Sequence, residues 1–425
     1  MKVLVIGSGG REHALCWAIS KSPLCEKIYC LPGNAGISSY AECVDIKVND
    51  IEGIISFAER ESIDFAVIGP EEPLVLGITD ELNKKDIKTF GPSASAAQLE
   101  GSKAFMKDIV YRNNIPTASY GCFSDINKAK QYIHKHGAPI VVKTSGLAAG
   151  KGVFICNTVS EAINAVDKLM DEKIFGLSGE EIIIEEFLEG EEVSFFALVN
   201  GNSILPLVSA QDHKAVGDGD TGPNTGGMGA YSPAPIMSSS LEKKVINEII
   251  LPTTNALIDQ DSPYQGVLFA GLMITQEGPK LLEYNIRFGD PECQVLMRRL
   301  KSDLLSALIA TCDDQLDNIS LKWHDEKAIV VIMASDGYPG NYKKGSIINN
   351  TFLAEKKDGI EIFHSGTLFK NKELIASGGR VLGITATGET VTEANKNVYK
   401  AISEIDWPEG FYRKDIGWRA IKLEK

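Results

Sequence analysis

The chain has 425 residues, room for about three domains at roughly 150 residues each, and its 44% hydrophobic and 24% charged residues exclude a disordered or fibrous chain. A formal net charge of −14 repels polyphosphate backbones, which argues against nucleic acid as a partner and requires any phosphate to be gripped locally. No apolar run approaches the ~20 residues of a membrane span, and Met1-Lys2 leads straight into a short apolar strand, so no membrane partner and a cytoplasmic location are expected. The 8 cysteines contain no C-x-x-C pair and the 6 histidines no metal-type spacing, so buried thiols are expected rather than a zinc site or a disulfide framework.

In chain order, residues 3–6 form an apolar strand that ends in Gly7-Ser8-Gly9-Gly10 and passes into helical spacing over 12–21. Short strands recur at 28–31, 65–68 and 88–90, with a helix over 51–60 among them. Strands alternating with helices predict a parallel sheet with right-handed crossovers. One helix over 94–112 then leads out of a first domain at 1–101. Strands at 139–143 and 153–156 flank a glycine-rich loop, and Thr158-Val159-Ser160-Glu161 has the spacing of a capping box. Strands at 181–186 and 192–199 follow, the second turning back at Asn200-Gly201, and a hairpin pairs 267–275 with 280–286. This region reads as antiparallel sheet. Residues 217–235 are rich in Gly, Asp and Pro, so they are expected outside the core as a linker or a ligand-closing loop. Asp290 is expected to cap a helix with Pro291 at its first position and Val295, Leu296, Leu300, Leu304 and Leu308 on one face. A strand over 328–334 opens a third unit. The expected fold is α/β in three domains, 1–101, 102–326 and 327–425, with a smaller subdomain at about 120–190 in the second.

The Gly7–Gly10 turn offers backbone N–H groups to an anion at a helix start. It is not a dinucleotide fingerprint, because Glu12 stands where the third glycine belongs, and Pro32-Gly33-Asn34 replaces the acidic residue after the second strand. Arg11 and Glu12 favour a smaller phosphorylated ligand; the alternative is a turn kept for packing. The run from Gly146 to Gly152 is no P-loop either, with three residues between its first glycines and Gly152 after Lys151. It reads as a small-residue flap over a triphosphate, with Lys143 and Lys151 neutralising charge, or as a surface hairpin with solvated lysines. Glu283 and Asn285 project from one strand face, with Leu282, Tyr284 and Ile286 on the other. They suit a hard cation such as Mg2+, next to the Arg287 fork, or form an ordinary polar face. Glu185-Glu186-Phe187-Leu188 can offer backbone groups to a purine edge between apolar walls, or simply end a strand. Asp212 outweighs His213 as a site residue, since no nucleophile motif accompanies the histidine.

These pieces, with the runs 7–14, 32–36, 69–71, 98–105, 146–153, 184–188, 211–214, 220–235, 288–292 and 414–420, resemble the glycinamide ribonucleotide synthetases over essentially the whole chain. These phosphoribosylamine-glycine ligases of purine biosynthesis belong to the ATP-grasp superfamily. The resemblance implies an N-terminal pre-ATP-grasp domain, a central ATP-grasp domain with antiparallel sheets and a flap at 120–190, and a small C-terminal α/β domain. It implies ATP as a substrate, Mg2+ or Mn2+, and two steps: glycine is converted to glycyl phosphate, which 5-phosphoribosylamine then attacks. Neutralisation and positioning dominate such chemistry. By the same resemblance Lys103, Lys143 and Lys151 meet the ATP phosphates, Glu185, Glu186, Phe187 and Leu188 the adenine, and Glu192 the ribose. Glu283 and Asn285 hold the metal, and Arg287 stabilises the transferred charge. Asp212, Thr225, Gly226 and Gly227 position glycine, while Gly9, Gly10, Arg11, Glu12, Asn34, Glu71, Asp290 and Lys343 bind phosphoribosylamine. A transient contact with the preceding pathway enzyme is a further expectation. Where the family reads Lys-Ala-Asp-Gly-Leu this chain has Lys143-Thr144-Ser145-Gly146-Leu147, and activity is expected to survive the change. Two other readings are a different ATP-grasp carboxylate ligase, against which the first-domain runs speak, and a nucleotide-binding protein without chemistry, against which Glu283, Asn285 and Arg287 speak together.

Overall fold

The computed structural model of the chain describes residues 1–148 and 152–424. Five strands, β1 (Lys2–Gly7), β2 (Lys27–Pro32), β3 (Glu42–Cys43), β4 (Phe65–Ile68) and β5 (Lys88–Phe90), pair in parallel in the order β3-β2-β1-β4-β5. In β1, Leu4 and Ile6 enter one apolar core and Val3 and Val5 another. Burial on both faces is why the strand reads as a continuous apolar run. The single helix expected over 94–112 is two, Gln98–Gly101 and Lys103–Arg112. Ser102 breaks it with an extended backbone (φ −137°), and its hydroxyl accepts the Phe105 N–H to start the second helix. The break has a use, because the Lys103 N–H donates to Ser145 O at 2.9 Å and ties this helix start to the glycine-rich loop.

Four antiparallel strands, β6 (Tyr120–Phe123), β7 (Ile140–Thr144), β8 (Val153–Cys156) and β9 (Ile182–Glu186), form a sheet in the order β6-β9-β7-β8. With the helices Ile126–His136 and Val159–Val166 it encloses a small core of its own. The capping box is half made: Thr158 accepts the Glu161 N–H, but the Glu161 carboxylate reaches the Asn157 N–H. β10 (Glu191–Asn200) and β11 (Ser203–Pro206) form the hairpin expected at Asn200-Gly201. After β12 (Gln211–Asp212), β13 (Ala215–Gly217), β14 (Thr221–Asn224) and β15 (Gly229–Ser232) come β16 (Gln265–Thr275) and β17 (Gly278–Asn285), which complete a second antiparallel sheet, β11-β10-β16-β17.

The expectation that 217–235 lies outside the core is overturned in its second half. β15 pairs with β18 (Lys327–Ser335), and Met228, Ala230 and Tyr231 are fully buried. Small residues here serve close packing, since a side chain on Gly229 would run into Val330 O and Ile416. Four further strands, β19 (Ile360–His364), β20 (Thr367–Lys370), β21 (Glu373–Ala376) and β22 (Arg380–Gly388), contribute to a sheet ordered β12-β15-β18-β22-β19 and to a separate β20-β21 hairpin, and the short β23 (Gly410–Phe411) pairs with β18. The helix expected after Asp290 is also two, Glu292–Arg299 and Leu304–Cys312, separated where Leu300 turns extended and Asp303 caps the second. Asp290 is not the cap of the first: its carboxylate accepts from Gln294 at 2.8 Å and lies 3.4 Å from Arg380. Contrary to the expectation of uniformly buried thiols, Cys122 is exposed. Among the described residues no helix is long and apolar enough to cross a membrane.

Candidate active site

β7 and β9 lie side by side and bring Lys143 to Glu185, with Nζ 2.6 Å from Oε2; Lys107, from the helix after Ser102, lies 2.7 Å from Oε1. All three side chains are buried. Burial alone would raise the Glu185 carboxyl, but the two ammonium groups outweigh it and hold the acid below the usual carboxylate range. The carboxylate of Glu185 is therefore spent on lysines, and its backbone lies in the sheet between Tyr120 and Val141, so the backbone beyond the strand is what remains for a base. Glu186 accepts from the N–H and hydroxyl of Ser119. The N–H of buried Leu188 makes no hydrogen bond among the described residues, and Phe187 is half-buried beside it. Lys103 donates to Gly146 O at 3.3 Å, at the mouth of the loop. Lys151 lies outside the described residues. Ser145 accepts the Ala104 N–H at 3.2 Å, so the hydroxyl performs at this helix start the anchoring that a carboxylate would.

Strand register sets Glu283 opposite Gly271 and Gly271 opposite Ser194, one row across β17, β16 and β10. A bulge at Leu282 corrects the expected alternation: Leu281, not Leu282, joins Tyr284 and Ile286 in the core. Burial would raise the Glu283 carboxyl, yet Lys214, Lys143, Lys103 and Arg287 together lower it. Asn285 is 8% exposed, and its amide has no partner among the described residues. An ionised carboxylate and an unpartnered amide two residues apart fit a hard cation. No cluster of three or more His, Cys, Asp or Glu stands ready among the described residues, so other ligands would come from phosphate and water. Arg287 reaches Glu100 at 2.7 Å and Glu71 at 3.3 Å, bridging toward the first domain. Burial raises Glu71, but Arg287 and Arg11 more than reverse it. Glu100, where burial dominates, is pushed up to about 7.

Glu192 pairs with Lys214 at 2.7 Å, and the Thr225 hydroxyl donates to Lys214 O while receiving the Gly227 N–H. Gly227 has φ +109°, and a β-carbon there would stand 2.7 Å from Asp212 Oδ1, so only glycine lets the turn approach the acid. Asp212 accepts the His213 N–H at 2.6 Å; burial and then Glu292 push its carboxyl well above the usual range. Arg380 Nη1 donates to Gly226 O at 2.5 Å, Asp290 O at 2.6 Å and Gly227 O at 3.3 Å, and Tyr338 accepts the Gly226 N–H.

A cavity of about 370 Å³ opens beyond this turn, at the carboxyl ends of β1 and β2, lined by Ser8, Gly9, Gly33, Asn34, Asp290, Tyr338, Ser365, Gly366, Thr367, Ser377 and Arg380. Of the residues expected to bind phosphoribosylamine, Gly9, Asn34 and Asp290 line it. Gly10, Arg11 and Glu12 stand behind it, Glu71 turns to Arg287, and Lys343 is exposed outside the lining. The Asn34 amide is committed, donating to Ser8 O and His364 O and accepting from Gly36 and Ile37. Glu12 accepts from the Gly9 N–H at 2.6 Å and from Arg11. Sequence reasoning missed Arg380, Tyr338 and the 365–377 stretch; the one local signal was the Gly378-Gly379 turn before the arginine.

His213 is 1% exposed, its Nε2 accepts the Gly417 N–H at 3.2 Å, and burial followed by Arg413 lowers its pKa to about 4. Between its folded and unfolded values the unfolded chain binds more protons, so the neutral imidazole stabilises the fold above about pH 6.5 and loses that contribution as pH falls toward 4. The stability gap between the native chain and His213→Gln, from urea melts, is expected to narrow by roughly 2 kcal/mol between pH 7 and pH 4.5. An unchanged gap would show that the histidine titrates normally.

Family models for the phosphoribosylglycinamide synthetase N domain, ATP-grasp (A) domain and C domain match residues 1–100, 101–293 and 328–419. The chain is 57% identical over 425 residues to the phosphoribosylamine–glycine ligase of Brucella melitensis, covering 100% of this chain and 99% of the relative. A crystal structure of the Thermotoga maritima phosphoribosylamine–glycine ligase superposes with a TM-score of 0.85 at 32% identity, covering 98% of this chain and 100% of that one. The Campylobacter jejuni biotin carboxylase, at a TM-score of 0.75 and 15% identity over 100% of this chain and 95% of that one, shares the fold. With three matched domains in order and this identity from end to end, the chain belongs to the phosphoribosylglycinamide synthetase family.

Proposed function

We propose that the chain ligates glycine to 5-phosphoribosylamine, converting ATP to ADP and phosphate and yielding glycinamide ribonucleotide for de novo purine biosynthesis in the cytoplasm. One observation carries the reading: the charges of Lys103 and Lys143 from beside the glycine-rich loop and of Lys214, whose O anchors the 225–227 turn, act together on Glu283, and Arg380 ties that turn to a cavity for a second substrate. A carboxylate does not react with an amine until one oxygen becomes a leaving group, and phosphorylation makes it one. Lys103 and Lys143 neutralise the ATP phosphates, the 186–188 backbone receives the adenine, and Glu192 the ribose. Glu283 and Asn285 would hold Mg2+ or Mn2+, which supplies charge neutralisation between the phosphates. Glycine, held by Asp212 and the 225–227 turn, attacks the γ-phosphate to give glycyl phosphate while Arg287 meets the charge that moves. The amine of 5-phosphoribosylamine, entering from the cavity, then displaces phosphate. ADP release is expected when glycine, freshly made 5-phosphoribosylamine and the divalent ion are all present, and not when glycine or the ion is left out; release with D-alanine or bicarbonate in place of glycine would replace this reading with another carboxylate ligase.

A further inference from the structure

The second step releases a proton that needs an acceptor. When the neutral amine adds to the acyl carbon, the C–N bond forms, the C–O bond to phosphate breaks, phosphate leaves with the electron pair, and the nitrogen must shed one hydrogen. The carboxylates around the cleft are mostly engaged by cations: buried Glu12 by Arg11 and Glu185 by two lysines, half-buried Glu71 and Glu100 by Arg287 and Asp290 by Arg380, and exposed Glu192 by Lys214. Apart from Glu283 on the cation face, half-buried Asp212 and buried Glu292 are two further acids of the cleft that form no ion pair among the described residues.

These two lie together. Gly227 packs between Pro291, the neighbour of Glu292, and the Asp212 carboxylate. Glu292 is 4% exposed, and its Oε1 accepts from Ser194, the residue that ends the row running from Glu283 through Gly271. The pair therefore flanks the turn at Gly227, whose O accepts from Arg380, a residue of the cavity lining. Burial is the largest influence on both carboxyls and raises both. Glu292 is the strongest charge acting on Asp212, while Lys214 and Arg380 pull Asp212 back; Ser194, Lys214 and Arg287 do the same for Glu292. Burial and mutual repulsion thus push both carboxyls toward the protonated form and make their oxygens more basic than those of a free carboxylate.

We propose that Asp212 and Glu292 act as one catalytic pair that takes the proton from the attacking amine in the second step. The proposal rests on the reading that glycine is held beside Asp212 and activated as glycyl phosphate. Glu292 is the cleaner member to change, because glutamine is isosteric and can still accept from Ser194.

The test separates the two steps in the full-length protein. Hydroxylamine traps an acyl phosphate without help from an enzyme base, so glycine hydroxamate formation reports activation alone. With Glu292→Gln, hydroxamate formation is expected to stay within about 3-fold of the native chain, while amide formation with 5-phosphoribosylamine falls about 10²- to 10⁴-fold. The acid limb of the pH profile for kcat/KM of the amine is expected to vanish as well. Glu292→Asp, which restores a carboxylate, should recover that limb. Equal loss of both steps, or a higher KM for glycine with kcat unchanged, would make Glu292 a structural or glycine-holding residue and overturn the proposal. Amide formation at the native rate would overturn it too. If the native chain gives no hydroxamate, the activated-glycine reading itself falls and takes the proposal with it.

Discussion

Glu283→Gln is expected to lower kcat/KM for ligation by at least about 10³-fold while the protein stays folded. Four cations, Lys214, Lys143, Lys103 and Arg287, converge on this one buried carboxylate and keep it ionised against the cost of its burial. Glutamine keeps the shape and removes the charge, so the cation face formed with Asn285 loses its anionic donor and the four cations lose their common partner. Two measurements check this. Steady-state rates should stay depressed across a magnesium titration, and nucleotide binding should weaken far less than turnover, since Lys143 is still held by Glu185. Activity within about 10-fold of native would remove Glu283 from the metal-binding role.

The second large effect is expected at Arg287. Its guanidinium reaches Glu100 through Nη2 and Glu71 through Nε at once, and a single ammonium cannot copy that fork. Arg287→Lys is expected to reduce kcat about 10²-fold or more, because positive charge is no longer fixed beside the transferred group. Arg287→Ala should also destabilise the protein, by up to about 3 kcal/mol, since it leaves two half-buried acids without their cation. Glu100, already pushed up to about 7, would then take a proton to relieve the site. That response makes the prediction specific: in a double-mutant cycle with Glu100→Gln the combined loss should be smaller than the sum of the single losses. Additive losses would mean that the arginine and Glu100 do not interact.

What the sequence disclosed follows from how local each signal is. The parallel sheet was legible because β1, β2 and β4 are apolar runs closed by Gly/Pro turns, and the grouping of Glu283, Asn285 and Arg287 because they lie within five residues on or just after one strand. Two helix breaks were not legible, because apolar spacing continues across Ser102 and Leu300 while a cap and an extended backbone interrupt the hydrogen bonding. Composition misled for 225–235, where small residues mark a tightly packed strand that reads just like a loop. Arg380 was invisible for a different reason. Its partners, Gly226, Gly227 and Asp290, lie 90 to 154 residues away in the chain, and no spacing rule spans that distance.

The carboxylate of Glu12, folded back on the Gly9 amide and braced by Arg11, has an outcome for substrate orientation. In a nucleotide-gripping turn that amide would face a phosphoryl oxygen; here the protein carries its own anion in that place, so on the proposed function a phosphomonoester would be disfavoured at the helix start. The hydroxyls of Ser365, Thr367 and Ser377, with the guanidinium of Arg380, offer the alternative berth on the opposite wall. On the proposed function, this one acidic side chain would set the polarity of the site, favouring a sugar phosphate whose phosphate lies toward those hydroxyls and whose amine lies toward the activated amino acid.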